Sequence, residues 1–168
     1  MNEWTIWKGW HESLSNICKR LLPRIGTKPV TYTFLFTKEN WFPYKDSDDL
    51  DINKLAGYSY LNHHKNSVRI GWTPMFNREG YYTLYFYLYN NGQRIMTRFA
   101  DIAPGTEYSI KISLKDDNVI FDLIEKNELI HSAKEKFIIP KWKIGYYLWF
   151  YFGGNKPAPK KMSVFLKK

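Results

Sequence analysis

Apolar and polar residues alternate along most of the chain in short runs that are separated by turn residues. In the segments 106–114 and 161–167, every second residue is apolar. A period of two residues is typical of β-strands with one buried face. The pattern predicts strands near these ranges: 3–9, 30–37, 56–61, 66–72, 81–89, 93–101, 106–114, 118–125, 129–138, 143–152 and 161–167.

The connections between these runs have the residues of tight turns. "NNG" at 90–92 is a hairpin signal, and "PGTE" at 104–107 and "KDDN" at 115–118 indicate turns. So many short strands at this spacing predict an all-β fold, an antiparallel β-sandwich or barrel. We expect a single domain over 1–168, in which residues 1–29 form an N-terminal strand and arm that packs on the sandwich.

The segment 11–25 has a different, ambiguous pattern. Leu14, Ile17 and Leu21 lie at helical spacing with basic residues beside them. This arrangement suits a basic amphipathic helix for a membrane surface or a partner groove, or a short helix or arm that packs on the sandwich. We favour the packed arm. Any helix in this segment would end near Pro23.

Composition narrows the range of partners. The net charge of +9 over 168 residues favours acidic partners, namely nucleic acid, anionic glycans or an acidic protein. Aromatic residues make up 18% of the chain, and tyrosine, the most frequent of them, suits surfaces that are partly buried and partly wet. No pattern for a cofactor is present.

The sequence also lacks the features of disulfide-bonded, membrane and secreted proteins. Cys18 is the only cysteine, so no internal disulfide can form. No apolar run approaches the length of a membrane span. The stretch 1–22 has no uninterrupted apolar segment, so we expect no secretory signal.

Histidines are the first candidates for a chemical site. His63 and His64 are adjacent, so on a strand they would point to opposite faces and could not chelate one ion together. No ligand spacing connects them with His11 or Cys18, so we predict no metal site. The alternative is that the polar segment around the pair, including Asn66, closes a loop and caps the next strand.

Acidic residues do not form a catalytic or calcium-binding pattern. The aspartates in 46–51 lack the spacing of a calcium loop. Glycosidases need two facing carboxylates, and "VIFDLIEKNE" at 119–128 has Ile120 where the first glutamate would be required. Motifs of serine hydrolases, zinc proteases and phosphate-binding loops are absent. We therefore predict that the protein is not an enzyme.

The strongest candidate for binding is an aromatic and cationic sheet face. In 81–89, tyrosine and threonine alternate with a plainly apolar set. Tyrosine rings stack on sugars or on a partner's side chains, and arginine donates directed hydrogen bonds. Either this face is used as a surface or the N-terminal arm covers it, and both remain open. The predicted surface platform is Tyr81, Tyr85, Tyr87, Tyr89, Arg69, Arg94 and Arg98, and a second, polar candidate site is His11, His63, His64 and Asn66.

Four blocks of the sequence resemble a known family. They are "KGWHESL" at 8–14, "DINKLAGYSYLNHHKNSVRIGW" at 51–72, "LYFYLYNNGQRI" at 84–95 and "GYYLWFYFGGNKPAPKKMSVFL" at 145–166. In this order they resemble small uncharacterised proteins of gut bacteria of the Bacteroides type and of their phages, including crAss-like phages. The resemblance implies a concanavalin A-like jelly roll, the architecture of many lectins, laminarinases and alginate lyases.

The resemblance implies a fold rather than an activity. Lys160 stands where the family's "GGN-x-x-AP-H" ending has a histidine, which argues against a metal or catalytic role for this loop. Alginate lyases of this fold carry a Gln-Ile-His element and a "YFKAG" strand, of which only "YFGGN" at 151–155 is similar, so lyase chemistry is not carried over. The recurrent blocks contain Gly9, His11, His63, His64, Asn66, Arg69, Trp72, Gly153, Gly154 and Pro159.

Three functions follow from these observations. The favoured one is a non-enzymatic structural or decorating protein of a phage particle that contacts other virion subunits. The alternative is a carbohydrate-binding module that uses the Tyr/Arg face, and the third is a polysaccharide-active enzyme of the jelly-roll type. Nucleic acid is a less favoured partner because the lysines are spread along the chain. We expect a virion location if the gene belongs to a phage, and a cytoplasmic one otherwise.

Overall fold

The computed structural model describes residues 1–13, 22–43, 51–153 and 155–168 and contains two antiparallel β-sheets of six strands each. One sheet has the order β1-β12-β3-β8-β9-β10 and the other the order β2-β11-β4-β5-β6-β7. This architecture confirms the predicted β-sandwich of jelly-roll type. The strands are β1 (Asn2–Ile6), β2 (Pro23–Ile25), β3 (Val30–Phe36), β4 (Asn53–Tyr60), β5 (Ser67–Pro74), β6 (Tyr82–Asn90), β7 (Gln93–Ile102), β8 (Glu107–Lys115), β9 (Asn118–Glu125), β10 (Glu128–Lys136), β11 (Ile144–Leu148) and β12 (Met162–Lys167), and a single 3-10 turn spans Lys38–Asn40.

Tight turns join the consecutive strands as the sequence predicted. Between β6 and β7 the two turn residues, Asn91 and Gly92, have φ values of 51° and 87°. A positive φ at both positions gives the turn whose twist matches that of the flanking strands. The turns at Asp116–Asp117 and at 126–127 have the same signs of φ.

Aromatic rings fill the space between the two sheets. Trp4 stacks on Trp149 with ring centroids 4.9 Å apart, and Phe86 stacks on Phe121 at 4.2 Å. The hydroxyl of the fully buried Tyr32 donates a hydrogen bond of 2.7 Å to a backbone carbonyl of the facing sheet. Much of the aromatic excess therefore belongs to the core and not to the surface.

The strand predicted at 143–152 is interrupted. Its regular part ends at Leu148, and the chain pairs again only at Tyr151, which forms a bridge to Lys54. The break shifts the alternation of side chains, so Phe150 and Phe152 enter the core whereas Tyr146 and Leu148 face outward. Alternation alone predicts that Ile144, Tyr146, Leu148, Phe150 and Phe152 share one apolar core face, and the break is the reason that this prediction was wrong.

The described parts of the N-terminal region supply an edge strand to each sheet, β1 to one and β2 to the other. After β1 the chain turns at 7–10, where the Gly9 amide donates a hydrogen bond to the carbonyl of Ala158. Residues 23–25 form a strand, so no helix extends through them. Most of the predicted helical segment, 14–21 with Cys18, lies outside the described residues. In the described part of the chain no helix is long and apolar enough to cross a membrane.

Candidate functional site

The outer face of the second sheet carries a groove with a volume of about 530 Å³. Strands β5 and β6 form its floor, where Arg69 pairs with Tyr87 and Ser67 pairs with Tyr89. These side chains share the outer face because residues alternate along a strand. The intervening residues, such as Val68, lie in the core. The groove is lined by Glu12, Lys54, His63, His64, Arg69, Tyr87, Tyr89, Tyr146, Leu148, Trp149 and Tyr151.

Lys54 brings a buried ammonium group to this groove. The residue is 6% exposed, and its Nζ lies 4.6 Å from the centroid of the Tyr87 ring and 5.8 Å from that of Tyr151. Gly153 provides the space, because a Cβ at that position would collide with Lys54 Nζ. Among the described residues, no carboxylate forms an ion pair with this ammonium group.

Charged side chains of both signs act on Lys54. Burial lowers the pKa of Lys54 from 10.5 to about 8. Of the charged neighbours Asp51 has the largest effect and raises the pKa, whereas Arg69 and then Arg94 lower it. Burial also raises the pKa of Tyr87 to about 12. A hydrogen bond to Tyr87 raises the pKa of Arg94. Three cationic side chains therefore surround one buried tyrosine.

His63 and His64 lie in the turn between β4 and β5 and not on a strand. The argument that they would point to opposite faces holds only on a strand and does not apply here, because the turn brings their ring centroids within 4.2 Å. His63 Nδ1 lies 2.7 Å from the hydroxyl oxygen of Tyr146, and the ring of His64 packs edge-on against Tyr89 at 5.5 Å. Both histidines line the groove.

A continuous series of side-chain contacts connects the two ends of the groove. The ring centroids of Tyr87 and Tyr89 are 6.0 Å apart. Tyr87 contacts Lys54 at one end of the groove, and Tyr89 contacts His64 at the other. A ligand that lies along the groove would therefore meet a cationic end and an imidazole end. The order of contacts is Lys54, Tyr87, Tyr89, His64, His63 and Tyr146.

Other members of the predicted platform lie outside the groove. Tyr85 and Arg98 line a separate cavity of about 290 Å³ on the same sheet, and Arg98 is ion-paired with Asp101 at 2.5 Å. Tyr81 is not on β6, which begins one residue later, and its ring is covered by the guanidinium of Arg78 at 3.4 Å. A role in binding remains a prediction for all of these residues.

Two of the predicted polar residues hold loops in place. His11 Nδ1 lies 2.9 Å from the carbonyl oxygen of Phe152, and its ring stacks on Tyr151. Asn66 Oδ1 accepts a hydrogen bond of 3.3 Å from the backbone amide of Asn91, which ties the histidine turn to the β6–β7 hairpin. This contact fits the alternative in which the polar segment closes a loop.

Lys54, Tyr146 and Tyr151 were missed by the sequence analysis. Lys54 lies within "INKLAG", where an asparagine and a lysine stand among apolar residues, and this interruption is the signal that could have found it. Tyr151 begins the "YFGGN" block that was noted only for its resemblance. Tyr146 was assigned to the core face, so its contact with His63 could not be anticipated.

Among the described residues, acidic side chains are few at the groove, although Asp51 is close enough to act on Lys54 and Arg94. Glu12 is the one carboxylate among the described residues that line it. Asp122 lies on the other sheet and accepts a hydrogen bond of 2.7 Å from Ser132. The aspartates within 46–50 lie outside the described residues. In the ranges that the structure describes, no three potential metal ligands come together.

Comparison with known proteins adds a structural likeness and no sequence family. No family model and no curated protein sequence match the chain. Among solved structures, an alginate lyase from Klebsiella pneumoniae has a TM-score of 0.56 at 9% identity, with 83% of this chain and 57% of the lyase chain covered. A scytalido-glutamic peptidase has a TM-score of 0.42 at 10% identity and coverages of 86% and 61%. A tailspike protein of Escherichia coli O157:H7 bacteriophage CAB120 has a TM-score of 0.44 at 11% identity and coverages of 85% and 20%. The chain thus spans less than two thirds of each.

These likenesses correct the prediction that the protein is not an enzyme. At this level of identity the likeness shows the fold alone, and that fold is shared with an alginate lyase, so the absence of motifs does not exclude an enzyme. The prediction had been based on the absence of linear motifs. Side chains that meet only through sheet pairing, as Lys54 and Tyr87 do, leave no such motif in the sequence.

Proposed function

We propose that the groove binds an acidic polysaccharide. The observation that supports this most is the ammonium of Lys54, which is buried in the groove without an ion-pair partner among the described residues. Burying a charge is unfavourable unless it is paired, so an anionic group that enters and pairs with Lys54 gains an unusually strong interaction. Arg69 and Arg94 add positive charge at the same end.

The remainder of the groove suits a chain of sugar rings. Tyrosine side chains offer flat faces for pyranose rings and hydroxyls for hydrogen bonds. Tyr87, Tyr89, Tyr146 and Tyr151 are spread along the groove and not gathered around one point. An extended ligand with a recurring acid group, such as a polyuronate, matches this distribution better than a compact anion.

A second candidate function, cleavage of the polysaccharide by β-elimination, is favoured by the contact between His63 and Tyr146. In a 4-linked uronate, a base takes the C5 proton and a C4=C5 double bond forms. The electron pair of the C4–O bond leaves with the glycosidic oxygen, which takes a proton from an acid. A cation at the carboxylate stabilises the negative charge that develops at C5.

The groove contains side chains suited to these tasks. Arg69, two residues along β5 from the Ser67–Tyr89 pair, is the cation that would hold the carboxylate of the reacting sugar, whereas Lys54 at the far end would hold that of another sugar in the chain. Imidazole and phenol groups exchange protons readily, and His63 Nδ1 is already within hydrogen-bonding distance of the Tyr146 hydroxyl at 2.7 Å. Hydrolysis fits less well, because it requires two facing carboxylates and Glu12 alone among the described lining residues supplies one.

Calorimetric titration tests the binding proposal. We expect oligomers of polygalacturonate or alginate to bind, neutral dextran not to bind, and dextran sulfate to bind more weakly than the uronates. Lys54→Met should abolish uronate binding, whereas Lys111→Met, a change at an exposed lysine of the other sheet, should not alter it. Unchanged binding by Lys54→Met, or tighter binding of single-stranded DNA than of uronates, would overturn the proposal.

The elimination proposal has its own measurement. Cleavage creates a double bond conjugated with the carboxylate, which is followed by its ultraviolet absorbance. We expect this absorbance to grow when protein and polyuronate are mixed, and not to grow with His63→Ala. Binding without any growth of absorbance, over a panel of uronates, would leave the groove as a binding site and refute the elimination.

Location in a phage particle and contacts with virion subunits remain predictions. The groove is compatible with them, since a particle component that touches host glycans would use such a surface. Mass spectrometry of purified particles from the source tests the location directly. Presence of the protein in washed particles supports it, and its confinement to the soluble lysate contradicts it.

A further inference from the structure

A second buried cation lies on the inner face of the sheet whose outer face carries the groove. Arg24 is on β2, where it pairs with Gly145 of β11, and it is only 4% exposed. Its guanidinium stacks on the ring of Tyr58, with Cζ 3.8 Å from the ring centroid. Tyr58 is fully buried and belongs to the hydrophobic core, so this stack faces the inside of the sandwich.

The positive charge of Arg24 is not neutralised by an acid. In the part of the chain that the structure describes, no carboxylate forms an ion pair with it. Burial lowers the pKa of Arg24, but the phenols of Tyr58 and Tyr60 outweigh burial and raise the pKa, so the guanidinium stays charged. A buried charge is unfavourable unless an opposite charge lies close to it. Arg24 therefore has an unmet need for an anion.

Two hydrogen-bond donors of the same stack also lack a partner among the described residues. They are the Nε–H of Arg24 and the hydroxyl of Tyr58, and both atoms are buried. The other groups nearby are satisfied, since Arg24 Nη2 donates a hydrogen bond of 2.7 Å to the carbonyl of Lys28 and the Tyr60 hydroxyl donates one of 3.0 Å to the carbonyl of Gly26. Buried donors without a partner are rare in proteins. Because the two groups are stacked on each other, one acceptor can contact both donors.

Positive charge extends from this stack to the protein surface. Lys168 Nζ lies 3.5 Å from the centroid of the Tyr147 ring, and Arg24 Cζ lies 5.9 Å from the same centroid. Tyr147 is half-buried and Lys168 is exposed. The two cations together attract a negatively charged ligand to this side of the sandwich.

We propose that Arg24 and Tyr58 hold a small monovalent anion, chloride, inside the sandwich next to β2. Chloride accepts hydrogen bonds from N–H and O–H donors, and its charge neutralises the guanidinium, so it meets both needs at once. A water molecule would accept the hydrogen bonds but would leave the charge unpaired. The bound ion links β2, an edge strand of three residues, to β4. This site is separate from the groove and does not depend on the function proposed for it.

Anion replacement tests the proposal. Thermal unfolding of the intact protein is measured in sodium gluconate that is replaced stepwise by sodium chloride at constant ionic strength, so that general screening of surface charges does not change. We expect the midpoint of unfolding to rise with chloride and to level off as the site fills. A midpoint that does not change with chloride would overturn the proposal and assign the two donors to water.

Substitutions locate the effect. Arg24→Met should abolish the rise with chloride, and Tyr58→Phe, which keeps the ring and removes one donor, should reduce it. Arg78→Met is the matched control, because the Arg78 guanidinium also covers a tyrosine ring, that of Tyr81 at 3.4 Å, but is exposed. The control should keep the full rise. An undiminished rise in folded Arg24→Met or Tyr58→Phe would contradict the assignment of the site.

Bromide gives a direct view of the site and needs no variant. Crystals of the unaltered protein are soaked in sodium bromide, and anomalous diffraction locates the heavier ion. We expect a peak within hydrogen-bonding distance of Arg24 Nε and the Tyr58 hydroxyl. Bromide at surface positions only, with this position empty or filled by water, would refute the proposal even if chloride stabilises the protein.

Discussion

Replacing Lys54 by methionine tests the central feature of the groove, because methionine keeps an unbranched side chain and removes the charge. The pKa of Lys54 falls from 10.5 to about 8 on folding. At ~1.4 kcal/mol per pKa unit, burial of the charged lysine opposes folding by about 3 kcal/mol. We therefore expect Lys54→Met to be more stable than the unaltered protein at neutral pH, by up to about 3 kcal/mol.

The sign of the pH dependence follows from the same shift. Between pH 8 and pH 10.5 the unfolded chain still holds the lysine proton whereas the folded protein has lost it. The unfolded state then binds more protons, so the free energy of unfolding of the unaltered protein rises with pH in this window. The advantage of Lys54→Met should consequently shrink as the pH rises through it.

Ligand binding should follow the opposite trend. An anionic ligand pairs with the charged lysine, so affinity for a uronate should fall as the pH rises above about 8. The affinity of the unaltered protein falls because deprotonation of Lys54 removes one charge-assisted contact with the ligand. Stability and affinity thus respond to the same proton in opposite directions, a combination that surface lysines do not produce.

Urea denaturation followed by tryptophan fluorescence, at about pH 7 and about pH 10, measures the first trend, and calorimetric titration with a uronate oligomer measures the second. Lys111→Met, at an exposed position of β8, is the matched control. If Lys54→Met is less stable than the unaltered protein at neutral pH, or if its advantage does not shrink with pH, the assignment of an unfavourable buried charge is wrong.

Three further substitutions test the groove and the core. Tyr146→Phe removes the hydroxyl 2.7 Å from His63 Nδ1, so elimination should slow by about 10²–10⁴-fold while uronate affinity stays unchanged. Gly153→Ala places a methyl group against Lys54 Nζ, so uronate affinity should fall about tenfold, equivalent to ~1.4 kcal/mol, with the fold retained. Trp4→Ala removes a buried ring stacked at 4.9 Å, so the free energy of unfolding should fall by about 3–5 kcal/mol in urea titration.

Each substitution has a control. Tyr81→Phe changes a tyrosine outside the groove and should not affect turnover. Lys111→Met, on the other sheet, is the control for Gly153→Ala and should leave uronate affinity unchanged. Trp142→Ala, at a residue that is 71% exposed, should alter stability by about 0.5 kcal/mol or less. If a substitution and its control cause equal losses of activity, affinity or stability, the corresponding assignment is wrong. Loss of uronate binding in Tyr146→Phe would likewise refute its assignment.

The groove residues show where prediction from the sequence ended. Tyr87, Tyr89 and Arg69 were predicted to share a surface because alternation within β5 and β6 is a local property. The polar cluster with His63 and His64 was predicted as a separate site, because its geometry depended on whether the pair lay on a strand or in a turn.

Lys54 could not be assigned from the sequence. Its side chain reaches the groove after an irregularity in the β4–β5 register, and its position depends on Gly153, far away in the chain. The contact of Tyr146 with His63 likewise joins β11 to the turn between β4 and β5. Both depend on which strands are neighbours, and that information is not contained in any short segment.

The sequence alone predicted an all-β sandwich, through the alternation of apolar residues and the turn residues between the runs. Strand period and turn geometry are set by neighbouring residues, so short segments are enough to predict them. The tertiary structure decided that Tyr87 is covered and that Lys54 is buried beside it. Burial depends on distant segments packing together, and desolvation of a charge arises only at that stage.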